Sequence, residues 1–204
     1  MTVIPWTPSE TAPGEHQILQ LHFLGQEHAT LSGEVMKLRR RFCEILVILA
    51  TNPCGVTSSK LGMELYGEWS ESQNQALEIH RLSKLVPIQS RPYRVTLRLK
   101  ADFLDVQNLL MQGRLAEAVD LYQGELLPFS DAPAVSDYRE YLHESVRSAV
   151  LGSQDLDLVW KFATRFPEDL EIWEHLQKVI PVQDLRLGMV RAKIKVLTRR
   201  LQVS

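Results

Sequence analysis

Residues 18–100 change hydrophobic period as the chain runs, and the order of the changes predicts an architecture. "ILQLHFLG" and "EHATLSGEVMKL" have the pattern of a short antiparallel strand pair, with Gly25 and Gly33 as turn residues. From about Arg40 to Thr51 the spacing becomes helical, with Phe42, Ile45, Leu46 and Leu49 on the inner face. Asn52, Pro53 and Gly55 end that helix, because Pro53 disfavours helical backbone at Asn52. Thr57 is a good cap for a second short helix, "SSKLGMELYG", which Gly67 closes. Ser72 is a candidate cap for a third, with Gln75 three residues on as its capping-box partner. After Pro87 and a turn at Arg91-Pro92, Tyr93, Val95, Leu97 and Leu99 alternate with Arg94, Thr96 and Arg98, as in a half-buried strand. Strands, three helices and a hairpin, in that order, predict a winged helix-turn-helix.

From Asp102 the spacing is helical only. "DFLDVQNLLMQGRLAEAVDLYQGELLP" holds two helices joined at Gly113 and ending at Gly124 and Pro128. Small Ala116 and Ala118 allow close helix approach, with Leu115, Val119 and Tyr122 as the packing face. Further helices are expected near Ser136–Leu151, Asp155–Arg165, Leu170–Val179 and Gln183–Leu201, with polar joints, as in a helical-hairpin array. In the last of these Leu187, Val190, Ile194, Leu197 and Leu201 form a coiled-coil-like seam. Two fates are open to it: docking on the preceding helices, or pairing with a second chain. Residues 1–17, with Pro5, Pro8, Pro13 and Gly14 amid Ser and Thr, suggest a linker or tail. The expected fold is mainly α, with a winged helix-turn-helix at 18–100 and an α-helical hairpin array at 101–204.

The third helix, expected over Ser72–Val86, carries an unusual polar face. Ile79, Leu82 and Val86 cluster on one side, with Ala76 and Leu85 at its margins. Gln73, Leu77, His80, Arg81 and Lys84 make a stripe on the other, hydrogen-bond donors around one apolar residue. An ordinary solvated face prefers mixed Glu and Lys. The major groove of duplex DNA admits one helix, where Arg pairs with guanine, Gln with adenine, and an exposed Leu meets a thymine methyl. Lys84, nearer the helix end, suits a phosphate. The competing explanation is a solvated face with Leu77 packed on a neighbour. Arg91, Arg94 and Arg98 fit a basic wing on phosphates or in the minor groove, or else a strand edge guarded by charge. Arg39, Arg40 and Arg41 open the first helix of the trio, where the helix dipole disfavours cations. Phosphate contact and pairing with nearby acids both explain them.

Charge sharpens the division. The net charge of −2 covers a basic block, residues 37–100, with eleven Lys/Arg against five Asp/Glu. Residues 101–178 carry six against fifteen, and residues 179–204 six against one. Two modules with different partners are implied. Cys43 and Cys54 are too few for a disulfide framework or a zinc site and are expected as reduced thiols. "RRRFCEILVILA" only superficially resembles a twin-arginine signal, being internal and interrupted by Glu44, and its apolar run is far short of a membrane span. A cytoplasmic location is expected, with no membrane partner. His16, His22, His28, His80, His143 and His175 are scattered, with no metal-ligand spacing, and there is no nucleophile elbow, P-loop or dinucleotide fingerprint. Neither an enzyme nor a cofactor is expected.

"LRRRFCEILVILATNPCGVTSSKLGMELYG", "EIHRLSKLV" and "RPYRV" together resemble the OmpR/PhoB-type winged helix of bacterial transcription regulators. "ADFLDVQNLLMQGRLAEAVDLYQGELLPFSDAP" resembles the tetratricopeptide-like bacterial transcriptional activator domain that follows such a winged helix. The pairing is similar to the output half of regulators that carry a sensor, often a GAF domain, upstream. It covers roughly residues 20–150. The resemblance implies sequence-specific duplex binding, with Arg81 and Lys84 on the family's basic positions and the hairpin as wing. Ser83 stands where an Arg is usual, and Ala76 and Glu78 also depart from the pattern. The expected function is transcriptional regulation, with the acidic helical half contacting RNA polymerase, another regulator or a second copy in a homodimer. The alternative is a helical protein-interaction adaptor whose winged helix no longer binds DNA.

Overall fold

The computed structural model describes residues 17–67 and 72–202. Of the segment expected as a tail, residues 1–16 lie outside these. Three strands, β1 (Ile18–His22), β2 (His28–Leu31) and β3 (Glu34–Met36), form an antiparallel meander, one strand more than the expected pair. The extra hairpin turns at Ser32 (φ 52°) and Gly33 (φ 90°). Two consecutive left-handed residues match the twist of the flanking strands.

Helices α1 (Arg40–Thr51), α2 (Ser58–Tyr66) and α3 (Ser72–Leu82) follow. The Thr57 hydroxyl accepts from the Lys60 amide at 3.3 Å and Gly67 closes α2, both as the sequence suggests. On α1 every residue from Phe42 to Leu49 is buried, including Glu44. The helix is covered on its second side because α6 of the helical half packs there. Burial pushes the Cys43 thiol up to about 12, so it stays protonated.

The expected strand over Tyr93–Leu99 is split. β4 (Ile88–Gln89) and β5 (Arg94–Val95) form the wing hairpin, whereas β6 (Arg98–Ala101) runs parallel to β1 and completes a sheet of order β3-β2-β1-β6. Thr96 makes the break: its amide and hydroxyl both donate to the Pro87 carbonyl, at 3.1 and 3.3 Å, and turn the chain out of the hairpin.

β6 runs straight into α4 (Asp102–Met111), and Asp102 fastens the junction. Its carboxylate accepts from the amides of Phe23, Leu24 and Phe103 at 2.8, 2.9 and 2.8 Å. Then come α5 (Leu115–Leu121), α6 (Pro133–Leu151), α7 (Leu156–Arg165), α8 (Leu170–Val179) and α9 (Leu187–Leu201), each packed on its neighbours in the chain. α6 begins three residues earlier than expected because Pro133 takes the first helical position, where its missing N–H costs nothing. α9 begins later because residues 182–186 form turns, with Asp184 accepting from the Arg186 amide at 2.8 Å. Its apolar seam docks on the array: Leu187, Val190 and Leu197 are buried and Ile194 is packed against the core, leaving Leu201 exposed. Lys193 and Arg200 both reach Glu168, at 3.0 and 2.7 Å.

The two halves share one buried core. Gly25 (φ 70°) and Gly124 meet backbone to backbone, and a Cβ on Gly124 would lie 2.8 Å from the Gly25 Cα. Beside them Leu127 donates its amide to the Phe23 carbonyl at 3.2 Å. The fold is thus mainly α: a winged helix-turn-helix with short strands and a wing hairpin, then an α-helical, tetratricopeptide-like array. Among the described residues no helix is long and apolar enough to cross a membrane.

Candidate nucleic-acid interface

α3 is held from behind by its apolar face and one buried amide. Ile79, Leu82 and Val86 are buried, as their spacing requires. Gln75 is buried with them, and its Nε2 donates to the Ser58 carbonyl at 2.7 Å. The expected capping box is therefore replaced: Gln75 ties α3 to the start of α2 instead of closing its own helix. The Ser72 and Gln73 side chains lie outside the described residues.

The outward stripe survives in part. Leu77 is 46% exposed, so it is not packed on a neighbour, and His80, Arg81 and Lys84 are exposed too. α3 ends at Leu82, four residues short of the expected Val86. Ser83 donates its hydroxyl to the His80 carbonyl at 2.9 Å, the amides of Leu85 and Val86 both return to Leu82, and Pro87 disfavours helix just beyond. Lys84 thus sits on the turn leaving the helix. Arg81 donates to Glu78 at 2.9 Å, one helical turn back.

The three opening arginines of α1 separate into three roles. Arg39 is exposed and lies with Lys37, Arg81 and Lys84 around a cleft of about 500 Å³ floored by Phe42 and Leu85. Four cations converge there with no carboxylate in the lining, an arrangement suited to a phosphate. Arg40 instead turns toward the helical half, its guanidinium 6.0 Å from the Phe129 ring. Arg41 is internal: it pairs with Glu44 at 2.7 Å, donates to the Leu65 carbonyl and lies 4.6 Å over the Tyr66 ring. Glu44 in turn accepts from the Ser130 hydroxyl at 2.8 Å, and burial raises its pKa despite both partners.

The wing pairs Ile88 with Val95 and Gln89 with Arg94, and Arg94 donates to Gln89 Oε1 at 2.9 Å. Tyr93 and Val56 exchange both backbone hydrogen bonds, at 2.8 and 3.0 Å, fixing the wing base to the turn between α1 and α2. Exposed Arg91 lies with Thr57 and Ser58 at a second cleft, of about 740 Å³, so the wing tip faces the start of α2. Arg98 is not a wing residue. It pairs in register with Ile18 in the four-stranded sheet, a placement set by β1, eighty residues away in the chain.

Lys37 and the start of α2 were not among the sequence candidates. Lys37 carried a signal, as a cation directly after a strand and two residues before the arginine run, but its partners across the cleft come from residues 81–84.

No family model matches the chain. It is 30% identical over 202 residues to an uncharacterized 47.3 kDa protein of the thcA 5′ region of Rhodococcus erythropolis, covering 96% of this chain and 45% of that protein. The chain therefore spans about half the length of this curated relative. Among solved structures it is similar to Mycobacterium tuberculosis EmbR in complex with a low-affinity phosphopeptide, with a TM-score of 0.51 and 14% identity over 92% of this chain and 59% of that one. With so little identity, this structural likeness shows a shared fold alone.

Proposed function

We propose that this chain is a transcription regulator of the type that joins an OmpR/PhoB-type winged helix to a bacterial transcriptional activator domain, and that it binds duplex DNA in a sequence-dependent way. Residues 18–100 are the DNA-binding unit and residues 101–204 the helical one. The observation that carries this reading is the convergence of Lys37, Arg39, Arg81 and Lys84 at the end of an outward helix face bearing exposed Leu77 and His80. On this reading α3 enters the major groove, Arg81 leaves Glu78 for a base edge, and Lys37, Arg39 and Lys84 hold phosphate. Arg91 and Arg94 hold the flanking backbone from the wing. Arg98 and Arg40 drop out of the contact set. The fold shared with EmbR is consistent with this assignment. A protein partner of basic character, such as RNA polymerase or another regulator, would meet the exposed acids Asp137 and Glu140 beside exposed Tyr141 on α6.

Selection of bound fragments from a random duplex pool, followed by titration of the enriched site at several salt concentrations, tests this reading. Enrichment of a defined site is expected, with affinity falling steeply in salt as several phosphate contacts require. A pool that stays random, with no salt-dependent retention, would leave the helical adaptor as the reading.

A further inference from the structure

A cleft of about 620 Å³ opens where the wing strands meet the helical array. That volume falls within the range of small-molecule sites, about 300–1,000 Å³. One part of its wall is apolar: Leu49 at the end of α1, Val95 on the wing, Leu97 and Leu99 on the stretch that leads from the wing into the sheet, and Leu104 from α4. The other part is polar, with Thr51, Gln107, Asn108 and Tyr138 along it. Tyr138 on α6 donates to Gln107 Oε1 at 2.8 Å, which leaves the amino group of Gln107 as a donor. Asn108 adds a second amide, whose side chain makes no hydrogen bond among the described residues.

Arg94 is the one cation among the lining residues, and no carboxylate accompanies it. Among the described residues it is bound only to the neutral amide of Gln89, with no carboxylate to answer its charge. A single cation beside one apolar wall and a row of amide and hydroxyl groups matches an anion with a short hydrocarbon body. It does not match a nucleotide, which would need several phosphate donors. We propose that this cleft binds a small organic carboxylic acid, its carboxylate on Arg94 and its apolar body against Leu97, Leu99 and Leu104. Arg94 is also assigned to the DNA backbone above, so acid and duplex would compete for it; ligand binding is therefore read without DNA present, where a failure of DNA binding leaves this site standing.

Calorimetric titration of the full chain with octanoate, decanoate, 4-phenylbutyrate and indole-3-acetate tests the proposal, with 4-phenylbutan-1-ol as the neutral counterpart. At least one acid is expected to saturate a single site. Arg94→Met removes a charge-assisted hydrogen bond and is expected to weaken that acid by about tenfold or more while leaving the alcohol unaffected. Asn108→Trp, at an exposed position of the rim, is expected to block both, with its melting temperature showing that the chain still folds. The site is overturned if none of the acids saturates. It is overturned equally if Arg94→Met holds the acid within about twofold of the parent, since a charge-assisted bond is worth more than that.

Discussion

In the helical array most cations are answered by other described residues, the arginines at helix junctions above all, and on the winged helix several are not. Arg147 joins Asp169 and Glu171, both at 2.5 Å, and Arg186 joins Asp184 and Asp157 at 2.8 Å. Arg139 donates to carbonyls of the connection between α5 and α6, including Ser130 at 3.0 Å, and Arg165 to those of Val119 and Tyr122 at the end of α5, both at 2.6 Å. Arg39, His80, Lys84 and Arg91, by contrast, are exposed and have no acidic partner among the described residues. The same side-chain chemistry therefore does two jobs. In the array it fixes how helices stack. On the winged helix it is left facing solvent, where only an outside anion can answer it.

Removing an array cation should show the first job alone. Arg147→Ala leaves Asp169, a side chain 14% exposed, with only the Ile172 amide as partner among the described residues, and should lower unfolding free energy by about 2 kcal/mol, discounting a buried-pair loss for the partial exposure. Denaturant titration reads the loss, and duplex affinity should not change while the chain is folded. A parallel fall in duplex affinity would mean the array takes part in binding.

Arg81→Ala should do the reverse. It gives up one exposed pair a helical turn apart, worth a few tenths of a kcal/mol, yet should cost about 1–3 kcal/mol at the selected DNA site and relax preference at one base. Lys84→Ala should weaken selected and scrambled duplex alike and lower the salt slope by about one unit. If the two variants behave identically, the stripe does not divide into base-reading and phosphate-holding positions.

The smallest expected effect falls on Glu44, the exception in the winged half because its charge is internal. Burial raises its folded pKa above that of the unfolded chain, so the folded state takes up the proton more readily. Its ionised form therefore costs stability at neutral pH, and the cost fades as pH falls toward the ordinary glutamate value of about 4.3. Glu44→Gln should gain about 1 kcal/mol or less over the parent at pH 7, and the gain should shrink toward pH 4.5. An advantage that grew with acid would reverse the assigned sign.

Local periods made most of the helices legible. α1 and α8 have the expected bounds, and the burial of Ile79, Leu82 and Val86 followed from spacing alone. What escaped was long-range. Tyr93 to Leu99 alternate without a break, and only the Pro87 carbonyl and the distant β1 edge divide them into wing and sheet. Gln75 sits at a capping-box position, but Ser58 was an equally good acceptor that no local pattern points to. For the site, Arg39, Arg81 and Lys84 were legible as cations, whereas the cleft that joins them to Lys37 exists only once α3 packs on α1.

The seam between β6 and α4 has a mechanical meaning. Ala101 is the last residue of the strand and Asp102 the first of the helix, and the Asp102 carboxylate is gripped by three amides. A flexible tether would let one body swing while the other stayed still. Here a torque applied to the array enters the sheet through a strand whose preceding residues, Thr96 and Val95, lead directly into the wing. The junction is thus built as a fulcrum without a spacer, and any rotation of the helices against the sheet would have to pass through the strand that leads back to the hairpin.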